Sequence, residues 1–129
     1  MKISVVVPVY NVAPYVWDCL WSVGQQDYPD IECLIIDDCS TDGSMAVVHD
    51  FLAQYKGHVA FRVISQPENR GLSEARNIGL EHSAGDFVYF LDSDDKMSSG
   101  CISLLVNVQK QKSADVVIGG HQFVRHDGR

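Results

Sequence analysis

The sequence predicts an α/β protein of three layers, α/β/α, with a mostly parallel sheet between helices on both of its faces. Short apolar runs alternate with amphipathic stretches of helical period along 129 residues, which are enough for one domain. The apolar runs lack a polar face, which is typical of strands buried in a parallel sheet. Because the connections are short and right-handed crossovers are the rule, we expect the core strand order 3-2-1-4.

The first half of the chain alternates strand and helix up to a third strand. Residues 3–9 form an apolar run rich in β-branched side chains and hence a buried strand. Pro14 suits the first turn of a helix, which leads to a second strand at residues 31–36. Residues 40–43 carry helix-cap chemistry, and residues 59–64 form the third strand. The apolar stripes of the two helices are Val16, Cys19, Leu20 and Val23, then Met45, Val48, Leu52 and Tyr55.

The second half continues the alternation. Ser73 can cap a third helix, which buries Ala75 and Ile78 and leads to a fourth strand at residues 87–91. A fifth strand is expected at residues 114–118, and no regular pattern follows Gly120. The stripe of the fourth helix is Ile102, Leu105, Val106 and Gln109.

Composition and charge exclude several classes of protein. The formal net charge of −7 argues against a nucleic-acid backbone as the partner. Six of the 17 acids lie in two short stretches, residues 37–42 and 92–95, and without them the chain is nearly neutral. No apolar run approaches the roughly 18 residues of a membrane span, and residues 1–8 are not expected to be a signal peptide, because Pro8 interrupts their apolar stretch. The four cysteines lack a C-x-x-C pair and are expected to be free thiols.

The acidic stretches fall at one predicted edge of the sheet. In an open parallel sheet, ligands bind beyond the carboxyl ends of the strands, where the strand order reverses. The loops after the first four strands, at residues 8–11, 37–44, 67–79 and 92–95, all belong to this edge. We therefore expect a ligand site there.

Asp92, Asp94 and Asp95 place three mutually repelling carboxylates after the fourth strand. A divalent cation relieves the repulsion, and Mg²⁺ or Mn²⁺ prefers carboxylate oxygens together with substrate phosphates. A calcium loop is not indicated, because Ser103 stands where the twelfth position requires glutamate. Capping of the next helix remains the alternative, although it requires only one acid.

The other loops offer groups that bind a nucleotide without metal. Asp38 can accept a hydrogen bond from a base or from ribose, and an Asx turn is the alternative for this stretch. Tyr10 and Asn11 offer a stacking surface and an amide, or simply packing. Arg76 lies near the nucleotide or, alternatively, forms a surface ion pair.

Four stretches, in this order along the chain, are VVVPVYN at residues 5–11, IDDCSTDGS at 36–44, NRGLSEARNIG at 69–79 and FLDSDD at 90–95. Together they resemble the N-terminal half of family 2 inverting glycosyltransferases, which have the GT-A fold. One departure is Cys39, which stands where the family usually has glycine.

The resemblance implies a site for a UDP-, GDP- or dTDP-sugar, with residues 1–129 as the donor-binding part of the GT-A domain. By analogy Asp38 recognises the base, and Arg76 lies near the nucleotide. Asp92 and Ser93 of the D-x-D motif contact the nucleotide-sugar, and Asp94 binds the Mg²⁺ or Mn²⁺. The segment that flanks the base comprises Pro8, Val9, Tyr10 and Asn11.

The resemblance also implies transfer of the sugar, with inversion, to the hydroxyl of an acceptor glycan or lipid-linked glycan in polysaccharide biosynthesis. The general base is expected beyond residue 129, so these residues would bind donor without transferring it. With the acceptor half absent, we expect self-association, or pairing of the segment after Gly120 with a neighbouring chain. The expected compartment is the cytoplasm, with the inner face of the membrane open for the full protein.

Other classes account for fewer of these features. An Mg²⁺-dependent aspartyl-phosphate phosphohydrolase places its D-x-D after the first core strand, not the fourth. A receiver-like signalling domain requires an acid pair after strand one and a lysine after strand five, where Gly119 and Gly120 stand. A dinucleotide-binding module requires G-x-G-x-x-G after strand one. A purely structural interaction domain leaves the acidic clustering unexplained.

Overall fold

The computed structural model describes residues 1–112, 116–118 and 122–125, with side chains described to residue 111. Strands and helices alternate along most of this part of the chain. The elements are β1 (Ile3–Val9), α1 (Ala13–Gly24), β2 (Ile31–Asp37), α2 (Ser44–Gln54), β3 (Ala60–Ser65), α3 (Leu72–His82), β4 (Phe87–Phe90), α4 (Cys101–Lys112), β5 (Val116–Ile118) and β6 (Gln122–Arg125).

These strands form one mixed sheet in the order β3-β2-β1-β4-β6-β5. The four strands β1 to β4 are parallel, which confirms the predicted core order 3-2-1-4. Val9 is paired with Asp37, and Asp37 with Ser65, so β1, β2 and β3 end level with one another. The loops that follow these strands therefore leave the sheet side by side, at its carboxyl edge.

The helices cover both faces, as the three-layer prediction requires. One core joins β1 residues such as Val5 and Val7 to apolar side chains of α1, α2 and α4. The opposite core joins Val6 to Ala75 of α3. The alternation of side chains along β1 thus sends successive valines to different layers. The predicted stripe of α1 is buried against the first core.

Two local predictions are wrong. Ser73 does not cap α3; the helix begins at Leu72, after Gly71, whose φ of +92° favours glycine because a side chain there would be strained. Residues 122–125, for which no strand is predicted, form β6 and pair antiparallel with β4. This strand forms because pairing with β4 supplies hydrogen-bond partners for its backbone, although its own sequence pattern does not indicate a strand.

Two other predictions concern the cysteines and the fifth strand. All four cysteines are free thiols, as predicted. The predicted fifth strand is seen as β5 at Val116–Ile118, and residues 114 and 115 lie outside the described residues. None of the helices in the described part of the chain combines the length and the apolar character that crossing a membrane requires.

Candidate functional site

A cleft of about 330 Å³ lies at the carboxyl edge of the sheet, within the usual range of small-molecule sites. Seven of the nine site residues predicted from the sequence line it, which places both acidic stretches at one site. These seven are Pro8, Val9, Tyr10, Asp38, Asp92, Ser93 and Asp94.

Asp38, the first residue after β2, is buried on one wall of this cleft. Its backbone N–H donates to the Val9 carbonyl (2.9 Å), so the aspartate continues the line of the sheet. Only 3% of the residue is exposed. Its carboxylate accepts hydrogen bonds from the backbone N–H groups of Arg70 (2.8 Å) and Gly71 (2.9 Å). Asp38 therefore holds the loop before α3, and lone pairs remain on both oxygens for a ligand.

Asn11 is not among the residues that line the cleft. It has a φ of +52°, and its side chain bridges two loops. Its Oδ1 accepts from the backbone N–H groups of Thr41 (2.9 Å) and Asp42 (3.3 Å), and its Nδ2 donates to the Thr41 hydroxyl (3.2 Å). Asn11 thus ties the loop after β1 to the loop after β2.

Asp42 and Ser44 complete this connection between loops. The Ser44 backbone N–H (2.9 Å) and hydroxyl (2.5 Å) donate to Asp42 Oδ1, and the Ser44 Oγ accepts from the Val12 N–H (2.8 Å). The hydrogen bond from the Ser44 hydroxyl lowers the pKa of the exposed Asp42 carboxyl. The start of α1 is therefore linked to the start of α2.

Asp92, Asp94 and Asp95, here called the acid triad, follow β4. One carboxylate oxygen from each lies within 4.8 Å of the others. A turn in which the Asp95 N–H donates to the Asp92 carbonyl (2.9 Å) brings them together. Three exposed or half-exposed carboxylates at this spacing are the donor set that a hard divalent cation prefers. Asp95 contributes one of these carboxylates, although, unlike Asp94, it is not among the residues that line the cleft.

Arg76 of α3 reaches the cleft through Asp92. Its Nη2 donates to Asp92 Oδ1 (2.9 Å), in an ion pair whose two side chains are both partly exposed. Its Nε is buried and has no hydrogen-bond partner within the described residues. Arg76 therefore contacts a lining residue, Asp92, without lining the cleft itself. Its Nε–H remains available to donate to a ligand.

Cys19 of α1 lies beneath the acid triad. Its thiol donates to the Asp92 carbonyl (Sγ to O, 3.7 Å). Burial, with a smaller effect from the charges of Asp95, Asp94 and Asp92, raises the pKa of Cys19 to about 12. The side chain is consequently a neutral thiol at physiological pH.

The remaining lining residues were not singled out from the sequence as site residues. Most of them belong to the loop before α3 and to its first turns. Leu72 is half exposed at the start of that helix, and Gly71 offers backbone without a side chain. The sequence signal that could have indicated these residues is Gly71, a glycine directly before a helix at the edge where ligands bind. The set is Val12, Asn69, Gly71, Leu72 and Ala75.

Comparison with known proteins gives one consistent class. Residues 4–129 match the model of the family described as Glycosyl transferase family 2. The glycosyltransferase GlyG of Streptococcus pneumoniae serotype 4 is 36% identical over 119 residues, which cover 92% of this chain and 38% of GlyG. The chain thus spans well under half of that relative.

Two solved structures are similar to the fold described above. A crystal structure of residues 1–349 of TarS from S. aureus, in complex with UDP-GlcNAc, has a TM-score of 0.81 and 32% identity, over 90% of this chain and 33% of that one. The mannosyltransferase PcManGT from Pyrobaculum calidifontis, in complex with GDP-Man and Mn²⁺, has a TM-score of 0.82 and 27% identity, over 89% and 34% of the two chains.

These matches agree with the resemblance of the four sequence stretches and with the GT-A arrangement of the sheet. They do not favour the phosphohydrolase or the receiver-like alternative. The family match begins at Ser4, in the first strand, and covers nearly the whole chain. The chain belongs to glycosyl transferase family 2.

Proposed function

We propose that the cleft binds the nucleotide diphosphate of an activated sugar, and that these residues are the donor-binding part of an inverting, metal-assisted glycosyltransferase. One observation carries the proposal. Asp38 and the acid triad come from loops far apart in the chain, yet Asp38, Asp92 and Asp94 line a single cleft of small-molecule size. A ligand with a polar planar group at one end and a diphosphate at the other matches both groups.

The base would bind on the Asp38 wall. Both oxygens of Asp38 already accept backbone N–H groups, so the carboxylate is oriented before a ligand arrives. The lone pairs that remain can accept from a ring N–H of the base. Pro8 and Val9 supply apolar backbone and side chain beside it, and Tyr10, 44% exposed, offers a ring at the rim.

Arg76 would bind near the ribose and phosphates. Its Nη2 is used by Asp92, while its Nε is buried and unpaired within the described residues. A buried donor without an acceptor costs about 1–3 kcal/mol, so a phosphate or ribose oxygen placed there would stabilise the bound state. Asp92 and Ser93 line the adjoining part of the cleft, where we place the ribose and diphosphate.

The residues present fit a divalent cation. The three carboxylates of the acid triad are close enough to share one ion, and they are accessible from the cleft side, where Asp92 and Asp94 line it. We assign Asp94 as the principal ligand for Mg²⁺ or Mn²⁺. When bound, such an ion supplies Lewis-acid stabilisation of the charge on a departing nucleoside diphosphate.

Inverting transfer also requires a base for the acceptor hydroxyl. The Asp38 carboxylate is buried and accepts two backbone hydrogen bonds, and Asp92 is paired with Arg76. Asp94 and Asp95 are assigned to the cation. None of these four acids is thus free to act as the base. As the family resemblance implies, we propose that the base lies beyond residue 129 and that residues 1–129 bind donor without transferring it.

Calorimetric titration of UDP, GDP and dTDP, each with and without Mn²⁺, tests the proposal. We expect at least one nucleotide to bind, and to bind more tightly with Mn²⁺ in the wild type but not in Asp94→Asn. Absence of binding by all three nucleotides contradicts the donor site, and binding that ignores Mn²⁺ contradicts the metal role. Transfer of sugar to an acceptor by these 129 residues alone would contradict our placement of the base.

For the whole protein we propose a role in polysaccharide biosynthesis, with a glycan or lipid-linked glycan as the acceptor, in the cytoplasm or at the inner face of the membrane. A similar protein, TarS of Staphylococcus aureus, is named a poly(ribitol-phosphate) β-N-acetylglucosaminyltransferase, which supports a polymeric acceptor. Transfer assays of the full protein with isolated envelope polymers and with short saccharides test this. Transfer to short saccharides only would contradict it.

A further inference from the structure

Three polar side chains, in the second half of α1 and just after its end, face the loop that carries the acid triad. Cys19 and Ser22 are three residues apart and share one face of α1, and Gln26 follows two residues after the helix ends at Gly24. We call these three residues the polar stripe. The loop between β4 and α4, residues 91–100, is here called the acid loop.

The polar stripe makes hydrogen bonds to the acid loop and to the start of α4. The Cys19 thiol donates to the Asp92 carbonyl (3.7 Å), and the Ser22 Oγ accepts from the Met97 N–H (2.9 Å). The Gln26 Nε2 donates to the Ser98 carbonyl (2.9 Å). The Gln26 Oε1 accepts from the N–H of Ile102 at the beginning of α4 (3.1 Å).

Gln26 is the member of the polar stripe whose side-chain amide is buried and fully hydrogen-bonded. It is 1% exposed, and its Nε2 makes a second hydrogen bond, to the Ser22 carbonyl (3.1 Å). Every polar atom of its side chain is therefore paired with backbone, in a position where an unpaired group is costly. This buried amide has no part in the nucleotide or metal contacts proposed above.

The anchored points bracket the acid triad. Asp92 is held at its carbonyl, and Met97 and Ser98 follow Asp95 by two and three residues. Three carboxylates within 4.8 Å repel one another, so the loop between the anchors tends to open when no cation is present. Fixed ends oppose that opening without placing any protein atom on the cation.

We propose that Gln26, supported by Ser22, is a positioning residue for the acid triad: it holds the acid loop so that the carboxylates converge before a cation binds. The inference rests on the proposed metal role of the triad. It predicts that Mn²⁺ affinity depends on a buried amide that does not touch the metal, because residues behind metal ligands commonly change affinity by roughly 10–100-fold.

The test uses Gln26→Met, which keeps the length of the side chain but removes both polar groups, and Gln25→Met as the matched control. Gln25 is the adjacent residue and is exposed. Mn²⁺ binding is measured by water-proton relaxation, and UDP and GDP binding by calorimetry with and without Mn²⁺. Thermal unfolding without metal shows whether each variant is folded.

For folded Gln26→Met we expect Mn²⁺ affinity to fall about tenfold, while metal-free nucleotide binding and the Gln25→Met control remain at wild-type levels. A variant that loses only thermal stability, with unchanged Mn²⁺ affinity, overturns the inference and leaves the metal site intact. A wild-type chain that binds no Mn²⁺ overturns both the metal role and the inference.

Ser22→Ala keeps the test decisive if Gln26→Met does not fold. It removes the acceptor for the Met97 N–H and retains the hydrogen bonds of Gln26. We expect a severalfold loss of Mn²⁺ affinity that Ser22→Thr, which restores a hydroxyl, recovers in part. Equal Mn²⁺ affinity in Ser22→Ala and wild type overturns the inference.

Discussion

Asp38 and Asp94 line the same cleft, yet their surroundings differ in nearly every respect. Asp38 is 3% exposed, and backbone N–H groups bond to both of its oxygens. Asp94 is exposed and lies within 4.8 Å of two other carboxylates. One aspartate thus has its charge balanced by the protein, whereas the other belongs to a group whose charge is left for a ligand.

The difference separates two kinds of preorganisation. On the Asp38 wall, hydrogen bonds to the carboxylate orient the group and stabilise the loop before α3. On the side formed by the acid triad, here called the triad wall, the carboxylates destabilise one another. The contacts that hold them are made to the loop backbone by Cys19 and Ser22 of α1 and by Gln26 just after that helix. Substitutions on the first wall should therefore affect stability most, and substitutions on the second should affect metal binding most.

The largest effect is expected from Asp38→Ala. Loss of the carboxylate leaves the Arg70 N–H without a partner and the Gly71 N–H with Asn69 Oδ1 alone (3.1 Å), so the free energy of unfolding should fall by about 1–3 kcal/mol. Metal-free UDP or GDP binding should weaken as well. Urea denaturation and calorimetry measure the two effects. Asp37→Ala is the matched control, since half-exposed Asp37 makes a single such bond, to the Ser40 N–H (2.9 Å). Equal destabilisation by both variants would remove the distinction between the walls.

Asp94→Asn should show the opposite pattern. Removing one of three clustered charges should not lower the free energy of unfolding in metal-free buffer, because repulsion decreases. Mn²⁺ affinity should fall by at least about tenfold, since a direct ligand matters no less than the residues behind it. Asp50→Asn, on the exposed side of α2, is the control. A marked loss of stability without metal would show that the triad wall is organised like the Asp38 wall.

A smaller effect is expected from Arg76→Gln, which removes the ion pair at the junction of the two walls. Both side chains are partly exposed, so the loss of stability should remain below about 1 kcal/mol. Nucleotide binding should weaken severalfold, because Arg76 also loses its buried Nε donor. Chemical denaturation and calorimetry separate these effects. Unchanged nucleotide affinity would assign Arg76 to the surface ion pair alone.

The smallest expected effect is on the dependence of stability on acidic pH, through the hydrogen bond between Ser44 and Asp42. The Ser44 hydroxyl lowers the pKa of Asp42 in the folded chain, so this bond contributes stability above the ordinary aspartate pKa. The contribution is lost as the pH falls through the lowered value. In Ser44→Ala the pKa of Asp42 should rise, and the stability gap to wild type should narrow below about pH 4. NMR titration of the Asp42 carboxyl measures the shift, and an identical pKa in both chains would contradict the assignment.

Much of the fold followed from patterns that depend on neighbouring residues only. Strands apolar on both faces and helices with a single apolar stripe require a covered parallel sheet, and the core order 3-2-1-4 is observed. The helix start at Leu72 and strand β6 did not follow. Gly71 acts through a backbone angle, and β6 exists through pairing with β4. Neither cause leaves a hydrophobic period in the local sequence.

The candidate site divides in the same way. The sequence by itself determined which residues reach the carboxyl edge, because strand ends in a parallel sheet place Asp38, Asp92 and Asp94 there. Only the tertiary structure decided their surroundings: Asp38 receives its partners from a loop 32 residues away, and the acid loop is held by Gln26 from 72 residues away. Sequence periodicity shows which side of an element is buried. Whether a buried polar atom finds a partner depends on backbone from distant elements, which is settled when those elements pack.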